Sequence, residues 1–228
     1  MTSRDEILDK VRAGLGPNAQ ASAKQAARRV AVVQRLDERA RHLIPARVVD
    51  KDETELVAIL RRWLEAAAGQ VLEAPSESDV PRLVAHYLRE HNLAARIRTG
   101  DDAYLAGLPW ASEPTLEVAH GRATPDDQVG LTHALAAVAE TGTLVVPSGP
   151  ANPVTLSFLP ETNIVIVRRA DVVGPLEEAW TLARAAGTAG GLPRTVNLIS
   201  GPSRSADIGG IPVLGAHGPR RLCVIVVG

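Results

Sequence analysis

Three short polar segments carry the residue types that could bind or transform a small anion. In Ala139-Glu140-Thr141-Gly142-Thr143, Glu140 directly follows an apolar run. A carboxylate at a buried strand end can serve as nucleophile or general base, and the Thr141 and Thr143 hydroxyls beside a glycine can hydrogen-bond an anion. The same five residues also read as a turn whose hydroxyls satisfy backbone groups. In Gly201-Pro202-Ser203-Arg204-Ser205-Ala206-Asp207-Ile208, the planar fork of Arg204 matches a carboxylate or phosphate. Ser203 and Ser205 add hydroxyls, and Asp207 can hold Arg204 in place, a pairing that would equally make a structural clamp. In Leu214-Gly215-Ala216-His217-Gly218-Pro219, His217 has few large neighbours and can face a cleft. Histidine is suited to proton transfer near neutral pH; the plainer reading is a loop histidine bonded to a carbonyl.

Other chemistries find little purchase. The six histidines show no HExxH pattern and no Cys/His spacing for zinc. The single cysteine, Cys223, cannot form an intrachain disulfide or supply the four thiolates an iron–sulfur cluster usually needs. Lys+Arg 25 against Asp+Glu 26 leaves a net charge of -1, so nothing suggests a nucleic-acid surface. There is no P-loop, dinucleotide fingerprint or nucleophile elbow. Polar residues follow Met1, and no apolar run reaches membrane length, which makes a cytoplasmic protein the expectation.

The elements that must position these segments follow from periodicity. With 45% hydrophobic but only 3% aromatic residues, aliphatic side chains must fill the core. Ser3 and Glu6 form a capping-box pattern ahead of Ile7, Leu8, Val11 and Leu15 on one helical face. A weakly apolar helix over Ala19 to His42 follows, suited to docking. Helices are predicted at Glu55 to Ala68, with Leu56, Leu60, Trp63 and Leu64 inward, at Pro81 to Glu90, and at Leu176 to Ala186. Strands are predicted at Gln70 to Glu73, Ala95 to Arg98, Leu116 to Ala119, Asn163 to Val167, Thr195 to Ile199 and Leu222 to Val227. Val129 to Ala139 and Leu144 to Val146 suggest a hairpin or bent strand. Buried strands separated by helices argue for an α/β fold with helices on both faces of its sheet. The boundary falls near Pro45 to Asp52, giving a helical arm over residues 1–49 and an α/β domain over 50–228.

Together with Ser157-Phe158-Leu159-Pro160, the three segments, the last extended to Val213, resemble in order and spacing the LUD-domain family, nearest the lactate-utilization protein C type. The resemblance implies an open, mostly parallel sheet similar to that of the ribose-phosphate isomerase, glucosamine-phosphate deaminase and CoA-transferase superfamily. It implies a role in oxidising L-lactate to pyruvate beside two partner subunits that carry iron–sulfur clusters, with no cofactor in this chain. Gly209-Gly210-Ile211-Pro212 departs from the more polar stretch expected there. Two roles follow. One is a cluster-free accessory subunit, with lactate or pyruvate held through Arg204 as one form of it. The other is a stand-alone enzyme on a phosphosugar or acyl-CoA, with Glu140 as base or nucleophile, Arg204 as anion clamp and His217 as proton carrier, which requires all three in one pocket.

Overall fold

The computed structural model describes residues 3–15, 23–38, 43–187, 192–205 and 213–228. The chain divides into two units, Met1–Leu43 and Ile44–Gly228. The first contains helices α1 (Ser3–Gly14) and α2 (Ala23–Glu38). Acidic Asp5 and Glu6 in the first turn of α1 and Arg12 in its last complement the helix dipole.

The second unit is built on a six-stranded parallel sheet. Its strands are β1 (Gln70–Ala74), β2 (Arg96–Thr99), β3 (Glu117–His120), β4 (Val129–His133), β7 (Thr162–Arg168) and β12 (Arg221–Val227), in the spatial order β1-β12-β7-β4-β2-β3. Successive side chains of a strand point to opposite faces, and the central strands sort accordingly. Val165 and Val167 of β7, with Leu222, Val224 and Val226 of β12, enter one core. Ile164, Ile166, Cys223, Ile225 and Val227 enter the other. That double burial is why both strands read as unbroken apolar runs.

The second core is closed by α4 (Val80–Glu90), through Val80, Val84, Tyr87 and Leu88, and by Leu105 of the short α5 (Ala103–Gly107). The first is closed by α3 (Glu53–Ala66), through Leu56, Val57, Leu60 and Leu64. A capping box starts α3: Glu55 N–H donates to Asp52 Oδ1 at 2.8 Å and Asp52 N–H donates to Glu55 Oε2 at 3.1 Å. Trp63, expected inward, is 39% exposed. It lies at the edge of the apolar stripe, under the guanidinium groups of Arg47 and Arg62.

The first core also has a partner that periodicity did not suggest. A separate four-stranded sheet, β8-β5-β6-β9, shares that face with α3. It comprises β5 (Ala136–Val138), β6 (Thr143–Pro147), β8 (Val172–Val173) and β9 (Val196–Ile199). The run Val129 to Ala139 is thus both of the forms expected: it bends after His133, leaves the parallel sheet, and pairs with β6 as an antiparallel hairpin. Ala137, Ala139, Leu144 and Val146 face the first core, while Ala136, Val138 and Val145 pack on Ala179 of α7 (Leu176–Ala186).

Two local features hold the site's surroundings. Gly130 in β4 lets the short α6 (Val154–Phe158) lie flush on the sheet, because a Cβ there would run into the Leu156 carbonyl. At the far edge, Asp127 is nearly buried and accepts from Arg98 Nε (3.1 Å), Thr124 N–H (2.8 Å) and Thr124 Oγ1 (2.9 Å). Burial alone would raise its pKa, but the bonds from Arg98 and Thr124 outweigh that and hold it below the ordinary carboxylate value.

Gly130→Ala is expected to destabilise the fold by about 1–3 kcal/mol through forced overpacking, read as a lower urea midpoint with an unchanged slope. Asp127 stabilises the fold fully above its unfolded pKa of about 3.9, and that contribution is lost as pH falls through its lower folded pKa. Acid titrations of the melting temperature should therefore show a shallower decline in Asp127→Asn than in the parent chain.

Candidate functional site

Two of the three segments singled out in the sequence clasp each other. Arg204–Ser205 (β10) pairs antiparallel with Val213–Leu214 (β11), with Arg204 opposite Leu214. Ser203 N–H donates to the Pro219 carbonyl (2.8 Å), Gly215 N–H to the Ser203 carbonyl (3.0 Å), and His217 N–H to Ser203 Oγ (3.3 Å). Asp207, Ile208 and Gly209–Pro212 lie outside the described residues.

This ribbon walls a cavity of about 240 Å³ to which Ser203, Arg204 and His217 all contribute. The rest of its lining comes from Ser157 and Phe158 of α6, from Asn163 and Leu222 at the amino ends of β7 and β12, and from Leu198 to Pro202 at the end of β9. Ser157 and Asn163 are each 1% exposed, and Ser157 Oγ and Asn163 Nδ2 have no hydrogen-bond partner. Buried polar groups are nearly always paired, so such a pair in one cavity calls for a ligand or water to complete it. Among the described residues Arg204 and His217 have no ion-pair partner. The cavity therefore offers a guanidinium fork, an imidazole, an amide N–H and a hydroxyl to a small polar anion.

The Glu140 segment sits elsewhere. Glu140 follows β5 and does not line the cavity. Its Oε2 accepts a long hydrogen bond from Leu176 N–H at the start of α7 (3.4 Å), and its Oε1 lies 3.8 Å from Arg47 Nη2. Arg47 Nε also donates to the Glu140 carbonyl (3.2 Å). A carboxylate at a helix amino terminus beside a guanidinium is a favourable fixed pair. Gly142 carries the turn with φ +65°, and a Cβ there would run into Trp63. Thr141 and Thr143 reach the cavity indirectly: Thr141 Oγ1 and Thr143 Oγ1 lie 2.7 Å apart, and Thr143 Oγ1 lies 2.7 Å from Ser200 Oγ, which lines it. Arg204, His217 and Ser203 thus meet in one pocket, two threonines touch its border through Ser200, and Glu140 stands outside. Sequence reading did not find Ser157 and Asn163. The available signals were a polar residue beside the apolar run Ile164 to Val167 and the place of Ser157 in the segment Ser157-Phe158-Leu159-Pro160.

Fold and site together define an α/β protein with a parallel central sheet and a small anion-suited pocket at that sheet's amino edge. The family model for the LUD domain matches residues 57–227, and the chain belongs to the LUD domain family. It is 32% identical over 194 residues to lactate utilization protein C of Geobacillus kaustophilus (strain HTA426), a match covering 81% of this chain and 74% of that protein. To lactate utilization protein C of Geobacillus sp. (strain WCH70) it is 40% identical over 100 residues, covering 43% of this chain and 42% of that one. Its fold matches the crystal structure of a DUF162 family protein from Deinococcus radiodurans with a TM-score of 0.59 and 22% identity, over 78% of this chain and 99% of that one.

Ser157→Ala deletes a buried oxygen that has no partner. It is expected to stabilise the ligand-free chain by about 1 kcal/mol, at the low end of the cost of an unsatisfied buried group, while leaving the fold intact. Urea denaturation of both chains checks this; a loss of stability would show that the hydroxyl is already satisfied.

Proposed function

We propose that this chain is the cluster-free subunit of a cytoplasmic system that oxidises L-lactate to pyruvate, and that its cavity holds the small carboxylate. The observation that carries the reading is the convergence of Arg204, His217 and Ser203 on buried, unpaired Asn163 Nδ2 and Ser157 Oγ. The names of the related proteins supply the substrate class. Small-molecule pockets for drug-sized ligands occupy about 300–1,000 Å³, so a cavity of about 240 Å³ suits a three-carbon acid.

Arg204 would pair with the carboxylate, which a guanidinium fork matches in two hydrogen bonds. Asn163 Nδ2 would donate to the 2-oxygen, and His217 would take the hydroxyl proton. Oxidation to pyruvate removes two electrons and two protons. In this reading iron–sulfur clusters on partner subunits would accept the two electrons and water the proton from C2; the single thiol here, Cys223, is buried in β12 and its pKa is pushed up by that burial. The stand-alone alternative asks Glu140 to meet substrate beside Arg204, and the engagement of Glu140 with Leu176 and Arg47 away from the cavity weighs against it.

A ligand that binds only the native state raises the melting temperature, and saturation at about 100 times Kd adds about 2.7 kcal/mol. L-lactate or pyruvate is expected to raise it, and Arg204→Ala to abolish the rise without lowering the ligand-free value. Absence of a rise with either acid, or a rise that survives Arg204→Ala, would contradict the assignment.

A further inference from the structure

The opposite end of the parallel sheet holds a larger crevice that the lactate reading does not use. From β2 the chain steps outward to the edge strand β3, whereas from β4 it steps inward to β7. Neighbouring strands whose connections run in opposite directions leave an opening outside their carboxyl ends, the usual ligand position in open α/β sheets. A crevice of about 650 Å³ lies there. Asp101 follows β2, and Gly121 and Arg122 follow β3. A third wall is the loop after β6, tied down where Asp101 N–H donates to the Pro150 carbonyl (3.0 Å). That loop is tied again where the Asn152 side chain exchanges two hydrogen bonds of 3.2 Å with the His133 main chain at the end of β4.

The chemistry of this crevice is cationic. Arg122 and Arg194 both line it, both are exposed, and neither has an ion-pair partner among the described residues. Asp101 is the one carboxylate in the lining, so the balance is positive. Two hydroxyls there already accept a backbone N–H and so keep their own protons to donate: Ser148 Oγ from Thr195 (3.0 Å) and Thr155 Oγ1 from Ala123 (3.1 Å). Two guanidinium forks from separate segments plus hydroxyl donors exceed what one carboxylate can satisfy. They suit the many acceptor oxygens of a phosphorylated group.

We propose that this carboxyl-edge crevice binds a small molecule bearing a phosphate ester or pyrophosphate, with Arg122 and Arg194 as its anion-binding pair. The site is separate from the carboxylate pocket and shares no lining residue with it.

The probe is inorganic pyrophosphate titrated into the full chain by calorimetry, with the melting temperature followed in parallel. Saturable binding that weakens with added salt is expected. The double exchange Arg122→Gln with Arg194→Gln should weaken it by roughly tenfold or more, while Arg204→Ala leaves it unchanged and L-lactate does not compete. Should the double variant melt lower without ligand, Arg194→Lys, which keeps charge but loses the fork, is expected to weaken binding partially at an unchanged melting temperature. No saturable binding in the millimolar range, binding untouched by loss of both arginines, or binding abolished by Arg204→Ala would overturn the proposal. Loss of lactate binding in Arg204→Ala alone bears only on the other pocket.

Discussion

The seven-residue parallel ladder between β7 and β12, from Arg221 opposite Thr162 to Val227 opposite Arg168, is the constraint on which the rest of the molecule rests. Every residue from Thr162 to Val167 and from Leu222 to Val227 is buried. A slip of one residue in either strand would exchange its two faces, moving Val165 and Val224 out of the core closed by α3 and Ile164 and Ile225 out of the core closed by α4. Such a slip is costly on both sides at once, so the register is fixed more firmly than in a sheet with one wet face. That register also decides which polar residues come to lie at the two ends of the sheet.

Those ends are chemically different. At the amino ends of β7 and β12, Asn163 is the second residue of a strand that is apolar from Ile164 to Val167, and its amide is carried into the protein with the strand. Gly130 then allows α6 to press Ser157 against the same place. The β10–β11 ribbon closes the space with a cation and an imidazole. At the carboxyl ends, the reversal of strand order leaves a wider opening bordered by Arg122 and Arg194, which have no ion-pair partner among the described residues. There Asp102 Oδ2 lies 3.4 Å from His133 Nδ1, and Tyr104 stacks on the His133 ring. Burial favours the protonated Asp102, yet the hydrogen bonds from His133 and the Leu105 N–H outweigh it and keep the carboxyl pKa lowered. Burial also pushes the Tyr104 hydroxyl up to about 12, so it stays neutral across the physiological range. The fold thus presents a small pocket, for which we propose a carboxylate, and a larger one, for which we propose a phosphorylated group.

Much of this was legible beforehand, for physical reasons. Leu222 to Val227 and Asn163 to Val167 read as buried strands because both their faces are covered, and α3, α4 and α7 were visible from helical spacing. The segments around Arg204 and His217 stood out because polar residues among glycines and prolines at strand ends have few structural uses. What stayed hidden depends on tertiary placement. The run from Val129 to Ala139 is apolar apart from Thr132 and His133 and has no glycine or proline at the bend where it passes from one sheet to another, since both sheets demand apolar residues. Asn163 near the start of β7 and Ser157 near the end of α6 look like ordinary polar residues at element ends until their burial is known. Glu140 has the sequence setting of a catalytic carboxylate, and only the arrival of α7 and Arg47 in space gives it a capping and pairing role.

We propose that a small carboxylate sits between the β10–β11 ribbon and the amino ends of β7 and β12. Proton NMR of the imidazole signals tests it directly, because the chain has only six histidines and one of them lines that pocket. On titration with L-lactate, the His217 ring resonances should move saturably while those of His133 at the far end of the sheet stay fixed. A titration that moves His133 instead, or leaves all six unchanged, would contradict it.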